Sequence, residues 1–179
     1  MRVITGTARG RRLETLDGTD VRPTTDRVKE AIFSSIQFDI EGRRVLDLFA
    51  GSGQLGIEAL SRGASNCTFV DINPESIAVA QRNVKTTGFE DKSIFARKDY
   101  FSFIASCSDK FGIAFLDPPY RDDMLEKALK SVTGVMEDYG IIICEHPTDI
   151  ILPSEVSGFS VAKKLKYGKI AVSIYKKGE

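Results

Sequence analysis

From residue 43 onward the chain alternates short apolar runs with stretches whose apolar residues recur at helical spacing. The runs are "RVLDLF" (44–49), "CTFVDI" (67–72), "SIFAR" (93–97), "IAFLD" (113–117) and "GIIICE" (140–145). Between them "GQLGIEALSRG", "PESIAVAQRNVKTTG", "YFSFIASC" and "DDMLEKALKSVTGVM" carry the helical pattern, with Pro74 suited to a first turn and Gly88 to a C-terminal cap. Such alternation predicts an α/β fold of the Rossmann-like kind, a doubly wound, mostly parallel sheet with helices on both faces. The last stretch, "FSVAKKLKYGKIAVSIYKK", reads as two strands turning at Tyr167-Gly168-Lys169, a C-terminal antiparallel hairpin. Ahead of residue 43, "RVITG" and "RRLETL" read as a small β-hairpin. "RPTTDRVKEAIFSSI" reads as a helix capped by Thr24 or Thr25, packing through Val28, Ala31, Ile32 and Ile36. The expected organisation is therefore an appendage over 1–42 and a main domain over 43–179.

The first strand-to-helix turn holds chemistry. "DLFAGSGQLGIEAL" contains Gly51-x-Gly53-x-x-Gly56, and Asp71 ends the next strand, placed to grip two ribose hydroxyls. Asp47 stands just ahead of the glycines, where a carboxylate repels a pyrophosphate and attracts a cation. That opposes a dinucleotide and favours S-adenosylmethionine, which carries an ammonium and a sulfonium. Ile72 and Tyr100 join the expected cofactor set. Asp99 fits either an acceptor for the adenine amino group or a helix N-cap.

"FLDPPY" closes the fourth strand on Asp117 and follows it with two residues that cannot donate to a ladder. Facing a methyl donor across the switch point of the sheet, this box has a use. An exocyclic amine of a base has its lone pair delocalised into the ring. Two acceptors on its hydrogens, the Asp117 carboxylate and the Pro118 carbonyl held by Pro118-Pro119, favour pyramidal nitrogen and stabilise its developing charge. Asp117 is also placed to take the released proton, and Tyr120 to stack on a base turned out of its own stack.

Composition narrows the alternatives. The 179 residues, 42% hydrophobic, supply one sizeable core. No run is long enough for a membrane span, and Met1-Arg2-Val3 opens a strand-like segment in place of a signal peptide, which points to the cytoplasm. Cys67, Cys107 and Cys144 read as dispersed buried thiols, and His146 is the only histidine, so no metal site is expected. Net charge is zero, yet Arg2, Arg9, Arg11 and Arg12 crowd one end and Lys163, Lys164, Lys166, Lys169, Lys176 and Lys177 the other. Ends that meet in the fold would make a polyanion-binding surface.

Over nearly its whole length the sequence resembles the bacterial RsmD-type methyltransferases. The resemblance is carried by "MRVITGTARGRRL", "RPTTDRVKEAIF", "LDLFAGSGQLGIEALSRGA" and "LDPPY". It implies an S-adenosylmethionine-dependent enzyme that methylates the N2 amine of one guanine in 16S ribosomal RNA, within the small subunit, and nothing in the sequence demands more than a monomer. It also implies that Arg22, Thr24, Thr25 and Arg27 border the pocket and that Arg9, Arg11 and Arg12 meet RNA phosphate. Competing readings are a DNA adenine-N6 or cytosine-N4 methyltransferase, and a non-catalytic RNA-binding assembly factor.

Overall fold

A computed structural model describes residues 1–18, 24–120 and 123–178. Its elements run α1 (Asp26–Ser35), β1 (Arg44–Asp47), α2 (Gln54–Ser61), β2 (Asn66–Asp71), α3 (Pro74–Thr87), β3 (Ser93–Arg97) and α4 (Tyr100–Ser106). They continue as β4 (Phe111–Leu116), α5 (Met124–Val132), β5 (Met136–Pro147), β6 (Glu155–Val156), β7 (Phe159–Tyr167) and β8 (Ile170–Lys177). One eight-stranded sheet has the order β3-β2-β1-β4-β5-β8-β7-β6, parallel through β5 and antiparallel beyond it. The α/β, doubly wound architecture expected from the sequence is therefore the one observed. Tyr167 pairs with Ile170, so the hairpin turns in two residues, and Gly168 supplies the positive φ (61°) that such a turn needs.

Strand alternation sorts the core into two layers. Val45, Ile113, Phe115, Ile141 and Ile143 face α1, α2 and α3, whereas Leu46, Ala114, Leu116, Ile142 and Cys144 face α5. The same period of two carries past the strand ends. Asp47 follows Val45, Asp117 follows Phe115 and Glu145 follows Ile143, so all three acids belong to the layer that α1 covers. Phe33 of α1 seals it against Phe115, ring centroids 5.5 Å apart.

The N-terminal segment forms the expected hairpin, but a short one. Arg2 and Arg12 make one antiparallel bridge, flanked by Val3 N–H on the Arg11 carbonyl (2.9 Å) and Leu13 N–H on the Met1 carbonyl (3.0 Å). Beyond it the backbone donors turn elsewhere. Ile4 and Thr5 give their N–H groups to Glu58 (2.9 and 3.0 Å), and Ala8 gives its own to Ser61 Oγ (3.0 Å). Helix α2 thus limits how far the pairing runs. Val3, Ala8 and Leu13 join the same buried cluster as Val28, Ile32 and Ile57. Two of the cysteines, Cys67 and Cys144, are buried as expected, but Cys107 at the end of α4 is half-exposed.

Glu58 is also the partner of a fully buried lysine. Lys29 Nζ lies 3.7 Å from Glu58 and donates to the Arg2 carbonyl (2.7 Å), and burial pulls its pKa below the ordinary value. Arg62 closes the group at 3.0 Å. Removing one member of such a network strands a charge and two backbone donors. Glu58→Ala should cost about 3–5 kcal/mol in urea unfolding. A loss under about 1 kcal/mol would show that the segment is held by its apolar contacts alone.

Candidate active site

The chain order reverses between β1 and β4, and at that switch point the C-terminal ends of neighbouring strands leave a crevice. The glycine turn stands on one side. Gly51 and Gly53 take φ of 54° and 82°, conformations that a side chain rarely adopts. Gly56 serves packing: a Cβ there would stand 2.4 Å from the Phe69 ring and 2.6 Å from Cys67 Sγ. The three glycines thus supply a tight turn, a backbone without side chains and close helix–strand approach. Leu16, from the N-terminal segment, lies over Gly51. Asn83 ties that segment to the loop through Glu14 and the Ser52 carbonyl.

Asp47 is buried behind the loop, and its Oδ2 accepts the Gly56 N–H at 3.0 Å. Gly53, the N-cap of α2, has no side chain to offer, so the carboxylate of β1 caps the helix in its place. Burial pushes the Asp47 pKa up to about 7 despite that bond, and the Asp71 charge adds to the rise. Asp71 accepts from Gly51 N–H through Oδ2 and from Asn73 N–H through Oδ1, each at 2.9 Å. Each oxygen keeps a second lone pair for a ligand hydroxyl. Ile72 beside it is 67% exposed, a flat apolar surface at the mouth. Asp99 proves to be the N-cap of α4, accepting from Ser102 N–H at 2.9 Å, which draws its pKa down. Tyr100 packs its ring 5.5 Å from that of Phe49.

On the other side of the crevice, Asp117 is half-buried, Pro118 buried, and Pro119 and Tyr120 exposed. Glu145, which the sequence reading passed over as the end of a strand, stands next to Asp117. The parallel register Leu116↔Cys144 aligns the two following residues. Thr24 Oγ1 lies 2.7 Å from Glu145 Oε2, to which it donates, and 3.4 Å from Asp117 Oδ2. The Asp117 carboxyl is held well above the usual range by burial first, then by the charges of Glu145 and Asp47. Glu145 is raised as well, by burial, against the pull of the Thr24 hydroxyl. No ion pair among the described residues includes Asp47, Asp117 or Glu145. Three acids thus share one edge of the sheet without a counter-charge. The capping question is settled too: Thr25 accepts from Val28 N–H, which leaves Thr24 for the acids.

Thr24 also lines a cavity of about 810 Å³, together with Arg2, Arg12, Thr15 and Thr25. Arg9, Arg11 and Arg12 are exposed around this end. Arg27 of α1 does not line the cavity; its guanidinium sits 5.1 Å above the Tyr167 ring of β7. Arg22 lies outside the described residues. Among the described residues no helix is long and apolar enough to cross a membrane.

Residues 1–176 match the family described as Conserved hypothetical protein 95. The chain belongs to this family, the RsmD-type methyltransferases. Among its relatives is the "Putative rRNA methyltransferase YlbH" of Bacillus subtilis, 41% identical over 99% of both chains. The "Ribosomal RNA small subunit methyltransferase D" of Escherichia coli is 33% identical over 99% of this chain and 90% of that one. A solved structure, "Putative methyltransferase yhhF from Escherichia coli", superposes with a TM-score of 0.89 at 32% identity, covering 99% of this chain and 97% of that one. The RsmD-type sheet thus accounts for the whole chain, its N-terminal segment included.

The buried acid gives the site a pH signature. A carboxyl whose folded pKa lies above its unfolded value binds its proton more tightly when folded, so stability falls as pH rises from about 4 to about 7. Asp47→Asn keeps an acceptor for Gly56 and removes that loss. Its thermal midpoint should exceed that of the unsubstituted protein at pH 8, by up to roughly 4 kcal/mol of stability, and the gap should close near pH 4. An equal gap at both pH values would contradict a raised Asp47.

Proposed function

We propose that this RsmD-type protein transfers a methyl group from S-adenosylmethionine to the exocyclic N2 amine of one guanine in 16S ribosomal RNA, on the small subunit in the cytoplasm, and that it works as a monomer. One observation carries the reading: a proline-fixed acid, Asp117-Pro118, stands across the switch point from a glycine loop backed by a buried, uncompensated carboxylate. The relatives named as ribosomal RNA methyltransferases support the substrate class.

The residues fit the cofactor. Asp47 lacks a cationic partner among the described residues, and a bound ammonium would restore its charge, whereas a pyrophosphate would meet repulsion. Gln54 Oε1, at the first residue of α2, is a second buried acceptor with no partner among the described residues. Gly51, Gly53 and Gly56 shape the loop, Asp71 serves the ribose hydroxyls, Ile72 and Tyr100 flank the adenine, and Asp99 receives its amino group. The cofactor supplies an electrophilic methyl on sulfur.

The protein's own part is to hold and activate the amine. Asp117 and the Pro118 carbonyl accept its two hydrogens, which localises the lone pair on nitrogen and stabilises the positive charge that grows there. Tyr120, 44% exposed at the lip, stacks on the base after it leaves its own stack. The cavity under Arg12, Thr15 and Thr25 admits the nucleotide, and Arg9, Arg11, Arg12, Arg22 and Arg27 meet phosphates. Thr24 borders the same cavity, but its hydroxyl is donated inward to Glu145, so its contribution lies with the acids. Residues 1–42 would then be the RNA-docking element and 43–179 the methyltransferase proper. A preformed RNA shape would add specificity to phosphate contacts and one everted base.

The decisive assay offers labelled S-adenosylmethionine with unmodified small subunits, naked 16S RNA and duplex DNA, followed by nucleoside analysis. N2-methylguanine from RNA is expected; methyladenine or methylcytosine from DNA, or no transfer at all, would overturn the proposal. Asp117→Ala should lower turnover by roughly 100-fold or more while RNA binding persists. A variant that turns over normally would remove Asp117 from the chemistry.

A further inference from the structure

We propose that Glu145 is a positioning residue that shares one proton with Asp117, and that Thr24 sets where that proton resides. The inference rests on the methyl-transfer reading and assigns a role to a buried acid that the scheme above leaves unused.

The geometry is that of a carboxyl pair. Asp117 directly follows β4 and Glu145 lies near the end of its parallel neighbour β5, on the face that α1 covers, and one threonine hydroxyl lies within reach of both. Like charges so close in a buried setting do not ionise together, so the pair retains a proton at neutral pH. A hydroxyl has a single hydrogen to give. Thr24 points it at Glu145, at 2.7 Å against 3.4 Å, which favours negative charge on Glu145 and leaves the proton with Asp117. Among the described residues, Asp47 approaches the pair from β1 and adds to the negative field, while Val172 of β8 lies beside Glu145. His146, the next residue of β5, has its Nε2 on Ser173 and its Nδ1 on the Pro147 carbonyl, with Lys164 as its charged neighbour.

This arrangement has a consequence for the reaction. The amine nitrogen forms a bond to the methyl carbon, the S–C bond breaks, and its electron pair stays on sulfur as a neutral thioether. Nitrogen, now cationic, sheds one proton. The pair, with one proton and one negative charge, takes it and becomes neutral; Asp117 without Glu145 would ionise more readily and receive the proton as a weaker base. Water removes that proton before the next turnover. Asp117 touches the amine, and Glu145 acts through Asp117 by raising its basicity.

The test uses two substitutions with opposite expected signs. Glu145→Gln removes the neighbouring charge, so the ¹³C carboxyl resonance of Asp117 in the substrate-free protein should titrate at lower pH. Thr24→Val removes the donor that stabilises ionised Glu145, so the pair should titrate at higher pH. With unmodified 16S RNA as acceptor, the acid limb of kcat/KM should move in the same two directions. Glu145→Gln should also lose roughly 10- to 100-fold in kcat with KM little changed. An Asp117 titration that ignores Glu145→Gln, limbs that move the same way, or a loss confined to KM would each overturn the proposal. If glutamine at 145 prevents folding, Thr24→Val leaves both carboxyls in place and an unshifted titration there refutes it alone. The resonances are read without RNA or cofactor, so a failed methyl-transfer assay with an intact shared titration would indict the function and spare the pair.

Discussion

Parallel registers that gather three acids at one edge of the sheet are the constraint from which the rest follows. The registers between β1 and β4 and between β4 and β5 bring Asp47, Asp117 and Glu145 to one edge, and strand alternation turns all three toward the same helix layer. Nothing positive among the described residues neutralises them. A fold tolerates such a cluster only by protonating part of it or by reserving it for a cation and a proton donor. The cluster works against stability, and the proposed function gives it a use. A methyl transfer to an amine begins with a cationic donor and ends by releasing a proton, and under that proposal these acids meet both.

The N-terminal segment is what keeps that edge covered. Glu58, Lys29 and Ser61 hold residues 2–8 against α2 and α1 through buried, charge-assisted bonds. Leu16 then crosses the glycine loop, and Thr24 arrives at the acids just before α1 begins. One short stretch of chain therefore touches the loop, the carboxyl pair and the basic rim. Binding at the rim has a physical route to the chemistry through Thr24.

Much of this was legible in the sequence, and what was not has a common cause. Strand–helix alternation, the glycine turn with Asp71, and the box from Asp117 to Tyr120 are local patterns, and local patterns survive being read in one dimension. Glu145 was invisible because "GIIICE" is an ordinary strand ending until the β4–β5 register sets it beside Asp117. The choice between Thr24 and Thr25 as cap needed the same three-dimensional information. The hairpin expected at the start is short because α2, distant in sequence, takes the N–H groups of Ile4, Thr5 and Ala8. Asp47 was read correctly as the acid behind the loop, but its service as a surrogate cap for Gly56 depends on Gly53 having no side chain and on how β1 meets α2 in space.

The central claim is that a buried, partly protonated carboxyl awaits a cation at the glycine loop. Calorimetric titration with S-adenosylmethionine and with NAD, repeated in buffers of different ionisation enthalpy, tests it most directly. With Asp47 near pKa 7 before binding, S-adenosylmethionine should bind at pH 7 with net release of roughly half a proton, fading by pH 9, and NAD should not compete. Binding of S-adenosylmethionine without proton release at either pH, or NAD binding as well as S-adenosylmethionine does, would contradict the account.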